Sequence, residues 1–380
     1  MTDEDQCELQ LLGERVSSLG DVVRAFDAAR LTQARVLAEL TKAELAEKLG
    51  VSAAAVGQYE TGATKPRQDL LPELSRVLKV PIEFFAAGRP VGRLDAADAH
   101  FRSLRSTRAK DRAKAATHAE QLWELTYALE KRVRLPDVDL PVAPPGTPPA
   151  VAAQMVRKAW GIKPGPLSHL VATMESRGIV VSLIPMTNES VGRVSAYSTD
   201  GLGRPFVIVT PERATSVYRY RFTCAHELGH LTLHPSPLPG DRRQEREADE
   251  FAAELLTPRA EIGPLLPRTM RIAALEKLSN EWGVSVQSLV WRMGELRVVS
   301  ELSVRRAYQR LNASTELRRA EPLSVYKGEV PSLLRDALTL AERYGLTRRD
   351  LAVELCWTVG HLDEMLGEDD GRPVLRVVHP

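Results

Sequence analysis

RFTCAHELGHLTLH, residues 221–234, reads as one helical stretch that carries three histidines. His226 and His230 stand at i and i+4, which puts both imidazoles on one helix face. Two neutral imidazoles so placed supply half of a zinc tetrahedron. Glu227 projects beside that face, where it can take a proton from water at the metal rather than ligate. A third ligand has to come from elsewhere. His234 continues the i+4 row, but it lies about 12 Å along the axis from His226, too far for all three to hold one ion. Pro235 also ends the helix there. The next helical run, EREADEFAAELLTP (245–258), presents Glu245, Asp249 and Ala252 as one stripe. On that stripe Glu245 can ligate while Asp249 accepts the free ring N–H of a ligand histidine. Glu247 and Glu254 fall off it.

Working outward, GIVVSLIP (178–185) and RPFVIVT (204–210) are short β-type runs and VSAYS (194–198) is a weaker one, so the middle of the chain mixes α and β. Residues 214–300 return to helix. Upstream, LPDVDLPVAPPGTPP (135–149) carries six prolines and reads as an interdomain linker. The expected organisation is multidomain, mainly α with an α+β middle domain. An extension (1–29) precedes a compact helical unit (30–88). A charged helical connector (89–135), the proline-rich linker (136–149) and the mixed domain (150–300) come next, and a helical region without an assigned role (301–380) follows.

Thr41-Lys-Ala-Glu44 forms a capping box that starts a helix, with Leu45, Ala46 and Leu49 on its inner face. Gly50 breaks that helix and Ser52 caps a second one, from which Val56 and Tyr59 pack back on the first. A short turn between two such helices is the helix-turn-helix pattern, whose second helix enters the major groove of DNA. Ala53, Ala54, Gly57 and Gln58 then face bases, and of these only Gln58 can make a bidentate contact. The unit nearly balances its basic and acidic side chains. Arg105 and Arg108 in the neighbouring Arg-rich stretch, together with Lys42, are the expected phosphate contacts. The junction recurs as Gly50-Val-Ser, Gly283-Val-Ser and Gly345-Leu-Thr, each a glycine turn before a capped helix.

Composition narrows the setting. Within 380 residues the formal net charge is +1, so nucleic-acid contact has to come from local clustering rather than from the whole field. The first residues, MTDEDQCE, are acidic where a secretory signal is basic and then apolar, and no apolar run approaches a membrane span. Cys7, Cys224 and Cys356 are odd in number and far apart, which argues against a disulfide framework and for a reducing cytoplasm.

These residues carry two resemblances. The run TKAELAEKLGVSAAAVGQYETGATKPRQDLLPELSRVLKVPIEFF, within residues 30–86, resembles the XRE-type (Cro-like) helix-turn-helix family. It departs from that family at Lys42, where Gln is common. RFTCAHELGHLTLH followed by EREADEFAAELLTP resembles the ImmA/IrrE family of metallopeptidases, over about residues 150–300. The second resemblance implies a zincin-like domain with Zn2+ held by His226, His230 and Glu245. It also makes Glu227 the catalytic base and gives Asp249 the place behind a ligand imidazole. Cys224 stands where the family has an aliphatic residue and reads as core. Tyr218 and Tyr220, just before the motif, are the candidates for stabilising an oxyanion.

The implied function is a cytoplasmic, DNA-binding transcription regulator, expected as a homodimer on a double-stranded operator. Its zinc-dependent endopeptidase would cut a regulatory protein, either a partner or the chain itself, in response to stress or another signal. Two alternatives are a transcription factor whose metallopeptidase fold senses a ligand or metal, and a toxin–antitoxin-type partner-binding protein.

Overall fold

A computed structural model describes residues 18–89, 100–101, 109–183, 196–199, 203–210, 216–235, 241–313 and 328–367. The chain is multidomain and mainly helical, with one small sheet, and it divides into two compact units. Residues 1–96, 108–134 and 334–366 make the first; residues 97–107, 135–333 and 367–380 make the second. Among the described residues no helix is long and apolar enough to cross a membrane.

The first unit opens with α1 (Leu19–Arg24), α2 (Ala28–Leu37), α3 (Lys42–Leu49), α4 (Ala53–Glu60) and α5 (Leu71–Leu78). The Thr41 capping box forms as expected: the Thr41 N–H donates to Glu44 at 2.7 Å and the Glu44 N–H to the Thr41 hydroxyl at 3.2 Å. Gly50 ends α3 in the left-handed region, at φ 65°, where a side chain would be strained. Ser52 then caps α4 by accepting from Ala55 N at 3.1 Å. Leu45, Ala46, Leu49 and Val56 are buried, with Leu71, Leu74, Phe84 and Phe85 beneath them.

Four further α-helices complete this unit among the described residues. The charged helical connector expected over 89–135 contains α6 (Ala109–Glu130), a helix whose Ala115, Ala119, Leu122, Leu125 and Leu129 are buried. Its Glu124 is buried as well, and accepts from Arg30 Nη1 and Nη2 at 2.8 Å each and from Arg89 Nη1 at 3.1 Å. Part of the region assigned no role also belongs here: α15 (Leu333–Glu342), α16 (Arg348–Glu354) and α17 (Val359–Leu366) bury Leu338, Leu351, Trp357 and Leu362. His361 Nε2 meets Gln121 Oε1 of α6 at 2.8 Å, and Arg132 Nη2 donates to Glu354 at 2.6 Å.

In the second unit a four-stranded sheet has the order β1-β3-β4-β2. Its strands are β1 (His100–Phe101), β2 (Val180–Leu183), β3 (Ala196–Thr199) and β4 (Phe206–Val209). β4 is buried along its whole length and pairs parallel with β2, Val180 opposite Phe206, and antiparallel with β3, Ala196 opposite Val209. β2, β3 and β4 arise from the three β-type runs of the sequence. β1, antiparallel to β3, stands where the charged helical connector over 89–135 was expected to be helix.

The helices of this unit are α7 (Pro149–Ala159), α8 (Leu170–Ser176), α9 (Val217–Leu233), α10 (Arg242–Leu256), α11 (Arg259–Ile262), α12 (Ile272–Trp282), α13 (Val286–Glu295) and α14 (Glu301–Ala313). α9 packs on β3 and β4, α10 on α9, and α7 on α10. One apolar core joins Val207 and Val209 of the sheet to Tyr220, Cys224 and Leu228 of α9 and to Phe251 and Leu255 of α10.

The proline-rich stretch lies along this unit. Asp139 N donates to Arg177 O at 2.9 Å, Ala143 N to Thr232 O at 2.8 Å and Trp160 Nε1 to Asp139 O at 2.9 Å. Gly178 makes room for it, since a Cβ there would sit 2.8 Å from Asp137 O. The three glycine junctions are alike: Gly50, Gly283 and Gly345 have φ of 65°, 62° and 95°. Each precedes a hydroxyl cap, at Ser52, Ser285 and Thr347.

Candidate functional site

The centre is built by the contact of α9 with α10. α9 is buried around most of its circumference, so its histidines are held by packing rather than by propensity. Gly229, between the two motif histidines, is what lets α10 approach: a Cβ there would meet Phe251 Cδ1 at 3.0 Å and Ala248 Cα at 3.3 Å. Asp241 caps α10, its carboxylate accepting from Arg243 N at 2.6 Å and Gln244 N at 3.2 Å, which starts the helix so that Glu245 falls in its first turn.

His226, His230 and Glu245 meet at this contact, with one donor atom from each lying within 4.8 Å of the others. The two Nε2 atoms are 3.1 Å apart, and the Glu245 oxygens lie 3.5 Å from His226 Nε2 and 3.6 Å from His230 Nε2. Ligands about 2.0–2.1 Å from a tetrahedral ion are themselves about 3.3 Å apart. Three donors already near that spacing fit such an ion, with one position left open. The remaining ring nitrogens are engaged elsewhere: His226 Nδ1 lies 2.8 Å from Asp249 Oδ1, and His230 Nδ1 lies 3.0 Å from His234 Nδ1.

The electrostatics suit cation binding. Burial lowers the His230 pKa to about 4, so the imidazole is neutral at neutral pH and its lone pair is available. Burial alone would raise the Glu245 pKa, but hydrogen bonds and charge interactions with His226 and His230 outweigh that and hold the carboxyl well below the usual range. Glu227 is wholly buried and adjacent in sequence to a candidate ligand.

Other residues singled out in the sequence fall as follows. Tyr220 is wholly buried among the core residues with Cys224, whose thiol is also pushed up by burial. Tyr218 donates its hydroxyl to Asn280 Oδ1 at 2.9 Å. His234 lies one turn beyond His230, and its Nε2 is 3.0 Å from Glu247 Oε2, so two residues set aside in the sequence are found together. The i+4 continuation of the histidine row signals the proximity of His234 to His230, and nothing in it points to Glu247.

On the first unit, Ala53, Ala54 and Gln58 of α4 are exposed and Gly57 is half-buried, as a reading helix requires. Lys42 is exposed too, and its ammonium sits 3.3 Å from Glu60 Oε2. Glu60 also accepts from Arg35, so this part of the basic surface is already partly neutralised. Arg105 and Arg108 lie outside the described residues.

Comparison with known families agrees with both halves. Residues 31–85 match the family model described as Helix-turn-helix, and residues 174–293 match the peptidase family model described as IrrE N-terminal-like domain. A search of curated proteins gives no match.

Proposed function

We propose that this chain, an XRE-type helix-turn-helix domain joined to an IrrE-like metallopeptidase-family domain, is a transcription regulator whose second domain is a zinc endopeptidase. The observation that carries the reading is the convergence of two imidazole Nε2 atoms and one carboxylate, with a wholly buried glutamate next in sequence to a ligand. His226, His230 and Glu245 hold the metal. Bound zinc supplies Lewis acidity toward water and a peptide carbonyl.

Glu227 takes the proton of the attacking water at its carboxylate and passes it to the leaving amine. Asp249 holds the His226 ring by Nδ1, 2.8 Å away, so that Nε2 keeps its lone pair. α4 places Gln58 against base edges, and a homodimer on a pseudo-palindromic operator gives enough base contacts for specificity. The cytoplasmic substrate is a regulatory protein, a partner or this chain, cut when a stress signal opens access.

The test is cleavage in cells that express the chain with neighbouring regulators, and with itself as substrate, under metal and oxidative stress. Glu227→Gln keeps the shape and the three ligands, so it retains zinc and loses the wild-type fragments. Fragments that appear equally with both proteins come from another protease. If nothing is cut while DNA occupancy follows a ligand or metal, the domain is a sensor.

A further inference from the structure

His234 closes α9, its backbone N–H donating to His230 O at 2.9 Å, and its ring is buried against the metal-facing turn. The ring joins two other groups. His234 Nδ1 is 3.0 Å from His230 Nδ1, and His234 Nε2 is 3.0 Å from Glu247 Oε2. The other Glu247 oxygen accepts from Arg243 Nε at 2.7 Å, a pair one turn apart on α10. Four side chains therefore run in a row from the metal centre to the surface.

Chemistry fixes the direction of that row. A histidine that ligates through Nε2 keeps its proton on Nδ1. His230 must then donate through Nδ1, so His234 accepts with the lone pair of its own Nδ1. The single proton of a neutral His234 ring is left on Nε2, where it points at the Glu247 carboxylate. The opposite arrangement, with His234 donating through Nδ1, would need a lone pair on His230 Nδ1 and would place the His230 proton on the ligating atom.

We propose that His234 and Glu247 are positioning residues for the metal centre, a relay that locks His230 in the Nδ1-protonated tautomer and raises the donor strength of its Nε2. The relay does for His230, through an intervening imidazole, what Asp249 does directly for His226. The inference rests on the metal-centre reading above. It gives His234 a task that a fourth ligand would not have, and it explains why Glu247, off the Glu245 stripe, is held in place by Arg243.

The experiment uses the full chain, stripped of metal by a chelator. Zinc affinity is read by competition with a chromophoric chelator, and coordination by the ligand-field spectrum of the Co2+ form. His230→Ala abolishes stoichiometric binding if the metal-centre reading holds. Wild type without metal, or His230→Ala with full affinity, overturns that reading and removes the relay with it.

Where that reading holds, His234→Leu binds zinc about 10- to 100-fold more weakly, the range usual for a lost partner behind a ligand imidazole, with the Co2+ coordination number unchanged. His234→Asn puts an amide oxygen where Nδ1 stood and recovers most of the affinity. Glu247→Ala, at a partly exposed position that folding tolerates, gives a loss smaller than that of His234→Leu.

Unchanged affinity in Glu247→Ala, or in a folded His234→Leu, overturns the relay. Equal weakness in His234→Asn and His234→Leu would mean that the ring only packs. A Co2+ spectrum that loses a ligand in His234→Leu would make His234 a ligand instead.

Discussion

At the scale of the residue, His118 on α6 shows how an uncharged site is imposed by packing. It is 3% exposed, and neither ring nitrogen has a hydrogen-bond partner among the described residues. Burial first, then the charges of Lys114 and His361, lower its pKa to about 3, with Glu364 opposing. An unfolded histidine titrates near 6.5, so as pH falls below that value the unfolded chain takes a proton that the folded chain refuses until about 3. The folded state thus loses stability as pH falls through this window, by up to about 1.4 kcal/mol per pH unit. Urea unfolding of the first unit between pH 7 and pH 5 checks this: the loss should be steeper in wild type than in His118→Leu, and equal slopes would contradict it. The residues that converge between α9 and α10 were legible earlier than this one. Spacing within a single helix fixes His226, Glu227 and His230, and a stripe on the next helix gives Glu245 and Asp249. The contact of His234 with Glu247 was not legible, because it depends on how closely α10 approaches α9 over Gly229.

At the scale of the element, the capping box at Thr41, the left-handed Gly50 and the Ser52 cap are local signals, and α3 begins and ends, and α4 begins, where those signals put them. α6 is the opposite case. Lys114, Thr117, His118, Gln121 and Glu124 are buried on it, so its polar composition imitates a solvated helix while its surface is covered. The partner that makes this tolerable, Arg30, is 94 residues away in sequence, beyond any reading by periodicity. Glu124 neutralises both Arg30 and Arg89, and the two guanidinium groups also lie over the Phe84 ring, 5.7 and 5.0 Å from its centroid. Removing one member of a buried pair leaves the others desolvated without compensation. Glu124→Ala should therefore cost about 3–5 kcal/mol in the unfolding of the first unit, measured by denaturant titration. A cost below about 1 kcal/mol, typical of an exposed pair, would show that water reaches the cluster.

At the scale of the whole molecule, sequence order and domain order differ. The composition break at 135–149 was visible as prolines, yet that stretch is bonded along the second unit, and the last helices return to the first. No local pattern announces such a return; Leu351, Leu355 and Leu362 are buried, and His361 bonds to Gln121 of α6, 240 residues away in sequence. A chain ending at residue 333 should lose the cover of α6 and lower the midpoint of the first unit's thermal unfolding, with DNA retardation weakened in step. Unchanged unfolding and retardation would make α15–α17 dispensable. The central claim is that two histidines of α9 and a glutamate of α10 make one metal centre. It is tested most directly by metal content per chain in wild type, Glu227→Gln and Glu245→Ala, measured by elemental mass spectrometry on the purified proteins. About one zinc per chain is expected in wild type and in Glu227→Gln, with most of it lost in Glu245→Ala, since two histidines alone leave the tetrahedron half empty. Full zinc retention in Glu245→Ala, or no zinc in wild type, would contradict the account.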